Sequence, residues 1–207
     1  SAWPSTAPAC ARRRAARTVL DLLNAEMKAR AAFPVGRLDK DTEGLLLMTD
    51  DGKLAHDLLS PRKRVPKTYR ALVAGEAGDE IAAAFRRGVE LDDGYVTLPA
   101  QLRLLAAASA AEAGLHPDMA EPYARMSAGQ TRRAQAAEAM EAAEAVSWIE
   151  LTIYEGKYHQ VKRMFEAVGR SVLYLRRVSM GPLQLDPGLP YGAWRELTEA
   201  EINSLRK

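Results

Sequence analysis

The chain has 207 residues, 47% hydrophobic and 27% charged, enough for one large domain or two small lobes sharing a cleft. No uninterrupted apolar run approaches the roughly 20 residues of a helical membrane span, and a single cysteine, Cys10, excludes an intramolecular disulfide and fits a reducing compartment such as the cytoplasm. A net charge of +2 does not by itself argue for nucleic acid, but its distribution is uneven: Arg62, Lys63, Arg64, Lys67 and Arg70 fall in an acid-free stretch, and Lys157, Lys162, Arg163, Arg170, Arg176 and Arg177 face Glu166 alone.

Before Asp21 the chain carries Arg12, Arg13, Arg14 and Arg17 without an acid, loosely like an organelle transit peptide, but Pro4 and Pro8 suit an irregular terminus as well. Thr18 and Asp21 have the spacing of a helix cap, and Val19, Leu22, Leu23 and Met27 predict a helix over 19–30. A polar loop from Gly36 to Gly44 then leads into Leu45–Met48, read as a buried strand closed by the turn Thr49-Asp50-Asp51-Gly52. Lys53–Leu59 reads as a helix with Leu54, Leu58 and Leu59 inward, stopped by Ser60-Pro61.

Thr68–Val73 reads as a strand, and Asp79–Arg86 as a helix with Ile81, Ala84 and Phe85 inward. Tyr95–Leu105 reads as two strands broken near Pro99. Residues 106–146, rich in Ala, Glu, Met and Gln, read as an inserted helical hairpin or a linker. Trp148–Tyr154 predicts a strand, His159–Val168 a helix closed by Gly169, and 171–178 and 193–197 further strands. Leu175, Val178 and Met180 read as core and Tyr158 as a packing residue, while Thr198 and Glu201 have capping-box spacing for a terminal helix. The mixture predicts one α+β domain over 1–207, with lobes at about 18–105 and 147–207 separated by the insert.

The segment Gly36-Arg37-Leu38-Asp39-Lys40-Asp41-Thr42-Glu43-Gly44 places carboxylates and cations on a glycine-flanked loop before a buried strand, a common setting for an active site. Asp39, Asp41, Glu43, Gly44 and Asp50 superficially match a calcium-binding loop, but the match fails where Leu45, Leu46, Leu47 and Met48 replace oxygen-bearing positions. His56 and His116 show no metal-ligand pattern. On pattern alone an acidic solvated loop is the simpler reading.

GRLDKDTEGLLLMTDDGKLAHDLLSP resembles the catalytic motif of the RsuA-type ribosomal RNA pseudouridine synthases, and EGKYHQVKRMFEAVG resembles their later segment. PKTYRALV, SMGPLQLDPGLPYGAWRELTEAEI and TVLDLL fit the same family in order, so that the resemblance covers most of 18–105 and 147–204. It implies a pseudouridine synthase fold, two lobes around a mixed, mostly antiparallel sheet, with Asp39 and Lys162 meeting across a central cleft. By the same resemblance Asp39 is the catalytic aspartate, Tyr69 the active-site tyrosine and Lys162 the cation paired with the aspartate, with Arg163 the nearest competitor for that role. Arg37 belongs to the loop that positions the aspartate or displaces the target base. Arg62, Lys63, Arg64, Lys67, His159, Gln160 and Arg163 join Arg37 as expected RNA contacts.

The implied reaction is isomerisation of a flipped-out uridine in ribosomal RNA, by a monomer needing neither metal nor cofactor. The wording of YHQVKRMFEAVG is closer to the small-subunit branch than to the large-subunit one. The family's amino-terminal S4-type RNA-binding domain is not found before Thr18, which keeps open a catalytically inert RNA-binding or ribosome-associated relative. A carboxylate glycosidase is a distant alternative, since no second acid partner stands out.

Overall fold

The computed structural model describes residues 2–5, 18–109, 111–113, 115 and 143–206. Cys10, Arg12, Arg13, Arg14, Arg17, His116 and most of the Ala-rich stretch lie outside the described residues. In chain order the elements are β1 (Ala2–Ser5), α1 (Ala25–Ala29), β2 (Phe33–Pro34), β3 (Thr42–Gly44), β4 (Leu46–Thr49), α2 (Gly52–Leu59), β5 (Lys67–Ala74) and α3 (Asp79–Arg87). There follow β6 (Gln101–Ser109), β7 (Ala145–Ile153), α4 (Gln160–Ala167), β8 (Val172–Met180), β9 (Leu183–Gln184) and α5 (Glu199–Leu205). Among the described residues no helix is long and apolar enough to cross a membrane.

Two compact units emerge, Ser1–Lys67 with Arg176–Lys207, and Thr68–Leu175. They are drawn from other stretches than the lobes read in the sequence, because Met180, Leu183, Leu197 and Leu205 share a core with Val35, Leu45, Leu47, Leu54 and Leu58.

In the first unit β4 lies between β1 and β2, antiparallel to both, with Met48 opposite Pro34. Leu45 and Leu47 pack into the core just named, whereas Leu46 and Met48 pack with Leu23 and Met27. The apolar run is continuous because both faces of this strand are covered. After it, Asp51 caps α2 by accepting from the Leu54 amide at 2.9 Å; Leu54, Ala55 and Leu58 are buried, while Leu59, predicted inward, is exposed.

The helix expected over 19–30 is interrupted. A single 3-10 turn, Val19–Leu22, ends at Leu23, and Asn24 then caps α1 by accepting from the Met27 amide at 2.9 Å. An Asn there satisfies a free N–H and starts a second helix more favourably than it continues the first. At the other end, the Thr198 and Glu201 capping box forms as read, with Thr198 N–H donating to Glu201 at 2.8 Å and Glu201 N–H to Thr198 Oγ1 at 3.2 Å. No strand covers 193–197. Arg195 is held there by Asp186 at 3.0 Å and Glu201 at 2.8 Å, while the two-residue β9 pairs with β8 nearby.

In the second unit the strand order is β8-β5-β7-β6. Tyr69, Ala71 and Val73 of β5 and Ile149, Leu151 and Ile153 of β7 alternate onto one face, covered by Ile81 and Phe85 of α3 and Val161, Met164 and Phe165 of α4. Phe85 and Phe165 meet edge to face at 5.0 Å. Leu72, Val146, Trp148 and Leu173 fill the opposite face. Ala82, not Ala84, is the third buried residue of α3.

Of the two strands expected on either side of Pro99, the one after it forms, while Val96 before it makes only a single bridge to Glu90; the strand that forms runs beyond Leu105 into the stretch read as an insert. Ser109 pairs with Ala145, so β6 and β7 make an antiparallel pair whose legs reach into both ends of the Ala-rich region. Alanine favours helix by propensity, but pairing and burial against Trp148 and Leu72 override that preference for Ala106 and Ala108.

Candidate active site and nucleic-acid-facing residues

Asp39 lies in the first unit, on a loop fastened at both ends. At the start, the Val35 amide donates to the Leu47 carbonyl at 2.7 Å. At the tip, the Thr42 amide donates to the Asp39 carbonyl at 2.9 Å and closes a tight turn that leaves Asp39 half-buried. Arg37 beside it is exposed.

The far end of the loop is clamped by Arg177. Its carbonyl accepts from the Leu45 amide at 2.8 Å, and its Nε donates to the Leu45 carbonyl at 2.8 Å. Gly44 has φ +104°, and a Cβ there would lie 2.1 Å from the Arg177 carbonyl oxygen, so the approach of the two chains requires glycine. Thr42 and Glu43 are buried in the same stretch. Arg177 Nη2 and Thr42 Oγ1 are buried without a hydrogen-bond partner among the described residues.

Lys67 was expected among the exposed RNA contacts and is buried instead, donating to the Val65 carbonyl at 3.1 Å. Burial, aided by the positive charge of Arg177, pushes its amine down to about 8. Period-two alternation explains the placement, because Lys67 is in phase with the buried Tyr69, Ala71 and Val73. Arg62, Lys63 and Arg64 are exposed as expected, on a 3-10 turn that ends with Arg64 in the left-handed region at φ 48°. Among the described residues no carboxylate pairs with these three.

Tyr69 and Lys162 belong to the second unit. Tyr69 is 9% exposed and is part of the core on the α3 and α4 side of the sheet. Lys162 is half-buried on α4.

Two neighbours of Lys162 that were expected as RNA contacts have partners within the fold. Gln160 is buried: its amide nitrogen donates to Glu155 at 2.8 Å and its oxygen accepts from the Lys157 amide at 2.8 Å. Arg163 reaches Asp92 and, at 2.7 Å, Asp93, holding the Asp93 carboxyl below its ordinary range through that hydrogen bond. A side chain with these bonds would have to leave them to grip a phosphate.

Glu155, which the sequence reading passed over, is the hub of the loop before α4. It is buried and accepts from the Tyr95 hydroxyl at 2.6 Å, the Leu98 amide at 2.8 Å and Gln160. The bond to Glu155 pushes the Tyr95 phenol up to about 12. Tyr158, read as a packing residue, is 76% exposed and stacks on His159. Arg177 had a usable signal, a charge in the middle of an apolar strand; Glu155 and Tyr158 had none. Among the described residues, no three His, Cys, Asp or Glu side chains are grouped as metal ligands.

Residues 4–167 match the family model described as RNA pseudouridylate synthase. The chain belongs to the RNA pseudouridylate synthase family. The RNA pseudouridine synthase YtzG of Bacillus subtilis (strain 168) is 43% identical over 190 residues, which is 92% of this chain and 65% of that protein. The ribosomal small subunit pseudouridine synthase A of Vibrio cholerae serotype O1 is 37% identical over 191 residues, again 92% of this chain and 65% of the relative. A crystal structure of a pseudouridylate synthase superposes with a TM-score of 0.72 at 28% identity, covering 99% of this chain and 74% of the other. The α+β pseudouridine synthase fold implied by the motifs is therefore the fold of this chain. The chain spans just under two thirds of the length of the curated relatives it matches.

Proposed function

We propose that this protein isomerises a uridine of small-subunit ribosomal RNA to pseudouridine, with Asp39 as the catalytic carboxylate and without metal or organic cofactor. The observation that carries the proposal is the Asp39 loop, a family motif closed at its tip by the Thr42 amide and clamped at its base by Arg177. Relatives named as small-subunit synthases at 37% identity support the choice of RNA.

In this reaction the bond from C1′ to N1 breaks, the base turns, and a bond from C1′ to C5 forms; a proton leaves C5 and one is gained at N1, so nothing is oxidised or reduced. The base must be out of its stack for this to happen. Asp39, on a pre-formed loop, meets the reacting nucleotide without a large ordering cost. Lys162 takes the role the resemblance assigns, a cation that keeps a carboxylate ionised. Tyr69, with 9% of its surface exposed, offers the base a limited contact. Arg62, Lys63 and Arg64 hold phosphates.

The test is pseudouridine mapping of ribosomal RNA in cells with and without the gene, complemented by wild type and Asp39→Asn. One site should disappear on deletion and return only with wild type. A site restored equally by Asp39→Asn overturns the role of Asp39, a large-subunit site overturns the choice of RNA, and an unchanged map favours an inert RNA-binding relative.

A further inference from the structure

We propose that Tyr158, backed by His159, is a stacking platform for an unpaired base of the RNA. The proposal rests on the reading of this chain as an RNA-modifying protein and adds a binding position to it.

An exposed tyrosine alone means little, since much of any protein surface is apolar. Tyr158 differs in its setting. Its ring lies 3.8 Å from the His159 ring at an interplanar angle of 18°, a parallel stack, and yet the residue is 76% exposed. One face is therefore covered by imidazole and the other is open to solvent. A flat ring with one open face is the unit from which single-stranded nucleic acid sites are built, because every base has a π-face to lay on it.

The backbone beneath the stack is pinned. His159 sits at φ 48°, a conformation that a non-glycine residue adopts at some cost. The Lys157 amide donates to Gln160, the Tyr158 carbonyl accepts from Arg163 at 3.3 Å, and Gln160 is itself held by the buried Glu155. Both sides of the stack are thus tied to the fold, which lowers the ordering cost of binding.

The surroundings select the partner. Lys157 and His159 are the chain neighbours of the ring, so cationic and polar groups accompany it. The Lys157 ammonium lies 4.3 Å from the Tyr95 ring and adds positive charge beside the platform, which suits a phosphodiester backbone.

The test uses the full chain and a single-stranded oligouridylate carrying one 2-aminopurine, whose fluorescence is quenched on stacking. Tyr158→Ala should weaken binding by about 5- to 150-fold and lose the quenching, without changing the salt slope, because no phosphate contact is removed. Tyr158→Phe should bind within about twofold of wild type, since the ring face is kept. His159→Asn, a residue that tolerates the left-handed backbone, should lie between them. Tyr158→Ala that binds and quenches like wild type overturns the platform, as does a Tyr158→Phe that fails as badly as Tyr158→Ala. Wild type that binds the oligonucleotide but forms no pseudouridine in ribosomal RNA would instead sink the proposed reaction, while loss of quenching in Tyr158→Ala would still support the platform.

Discussion

Replacing Gly44 by alanine should unfold the base of the Asp39 loop. The added Cβ would stand 2.1 Å from the Arg177 carbonyl oxygen, where ordinary contact begins above 3.4 Å, so the two chains must part by more than 1 Å. At φ +104° an L-residue is strained in addition, at a cost of about 1–3 kcal/mol. Parting the chains also breaks the bonds between Leu45 and Arg177 in a buried place, and unsatisfied buried groups cost about 1–3 kcal/mol each. The combined loss is about 3–9 kcal/mol, a large share of the roughly 5–15 kcal/mol that holds an average domain folded.

Urea titration followed by circular dichroism measures it, with the midpoint falling and the slope kept. Gly52→Ala is the matched control. No atom lies within 4 Å of a Cβ at Gly52, which opens α2, so the same chemical change there should stabilise by up to about 1 kcal/mol. If Gly44→Ala costs less than about 1 kcal/mol, the close approach to Arg177 is not what holds the loop.

Three further outcomes follow from named groups. Burial depresses the Lys67 amine from an ordinary 10.5 to about 8, so the folded state binds fewer protons than the unfolded one across that window, and Lys67's contribution makes stability rise with pH from 8 toward 10.5. Lys67→Met should flatten this rise in thermal unfolding scans and raise stability at pH 7; an unchanged pH profile refutes the burial of a charged amine. Glu155→Ala removes the acceptor of Tyr95, Leu98 and Gln160 and should cost about 3–5 kcal/mol by urea titration, with a loss below 1 kcal/mol counting against its role as hub. Neutralising Arg62, Lys63 and Arg64 together should weaken binding to ribosomal RNA fragments and lower the salt slope by up to about three, and an unaltered slope places the phosphates elsewhere.

The sequence was most legible where local chemistry and burial agree. Leu45–Met48 is apolar throughout because both its faces are covered, Thr198 caps the terminal helix through bonds that depend on near neighbours only, and Gly169 closes α4 with φ +71°. It was least legible where a contact joins distant stretches. Asn24 looks like a tolerable helix residue until its side chain turns to cap α1, and Ala106–Ala108 favours helix until Val146–Trp148 pairs with it.

Charge was the least reliable guide to the site. Lys67 lies in the same basic run as Arg62, Lys63 and Arg64, and only its phase with Tyr69 distinguishes a buried amine from an exposed one. Arg163 and Gln160 sit in the same motif as Lys162; Glu155, which holds Gln160, opens that motif, but Asp92 and Asp93, which hold Arg163, come from a distant loop that the motif does not contain. Asp39 itself is singled out by resemblance alone, because a half-buried aspartate on a polar loop has no signature of its own.

Arg177 is made 132 residues after Leu45, the residue whose carbonyl it holds. At roughly 5–20 residues per second on the ribosome, the Asp39 loop waits on the order of ten seconds for the strand that steadies its base. Thr68–Leu175 is meanwhile one uninterrupted stretch, and among the described residues its two cores contain none from outside it. Synthesis therefore delivers the second unit whole before the first can close, and a nascent chain stalled short of Arg177 carries the Asp39 loop without the clamp that shapes it.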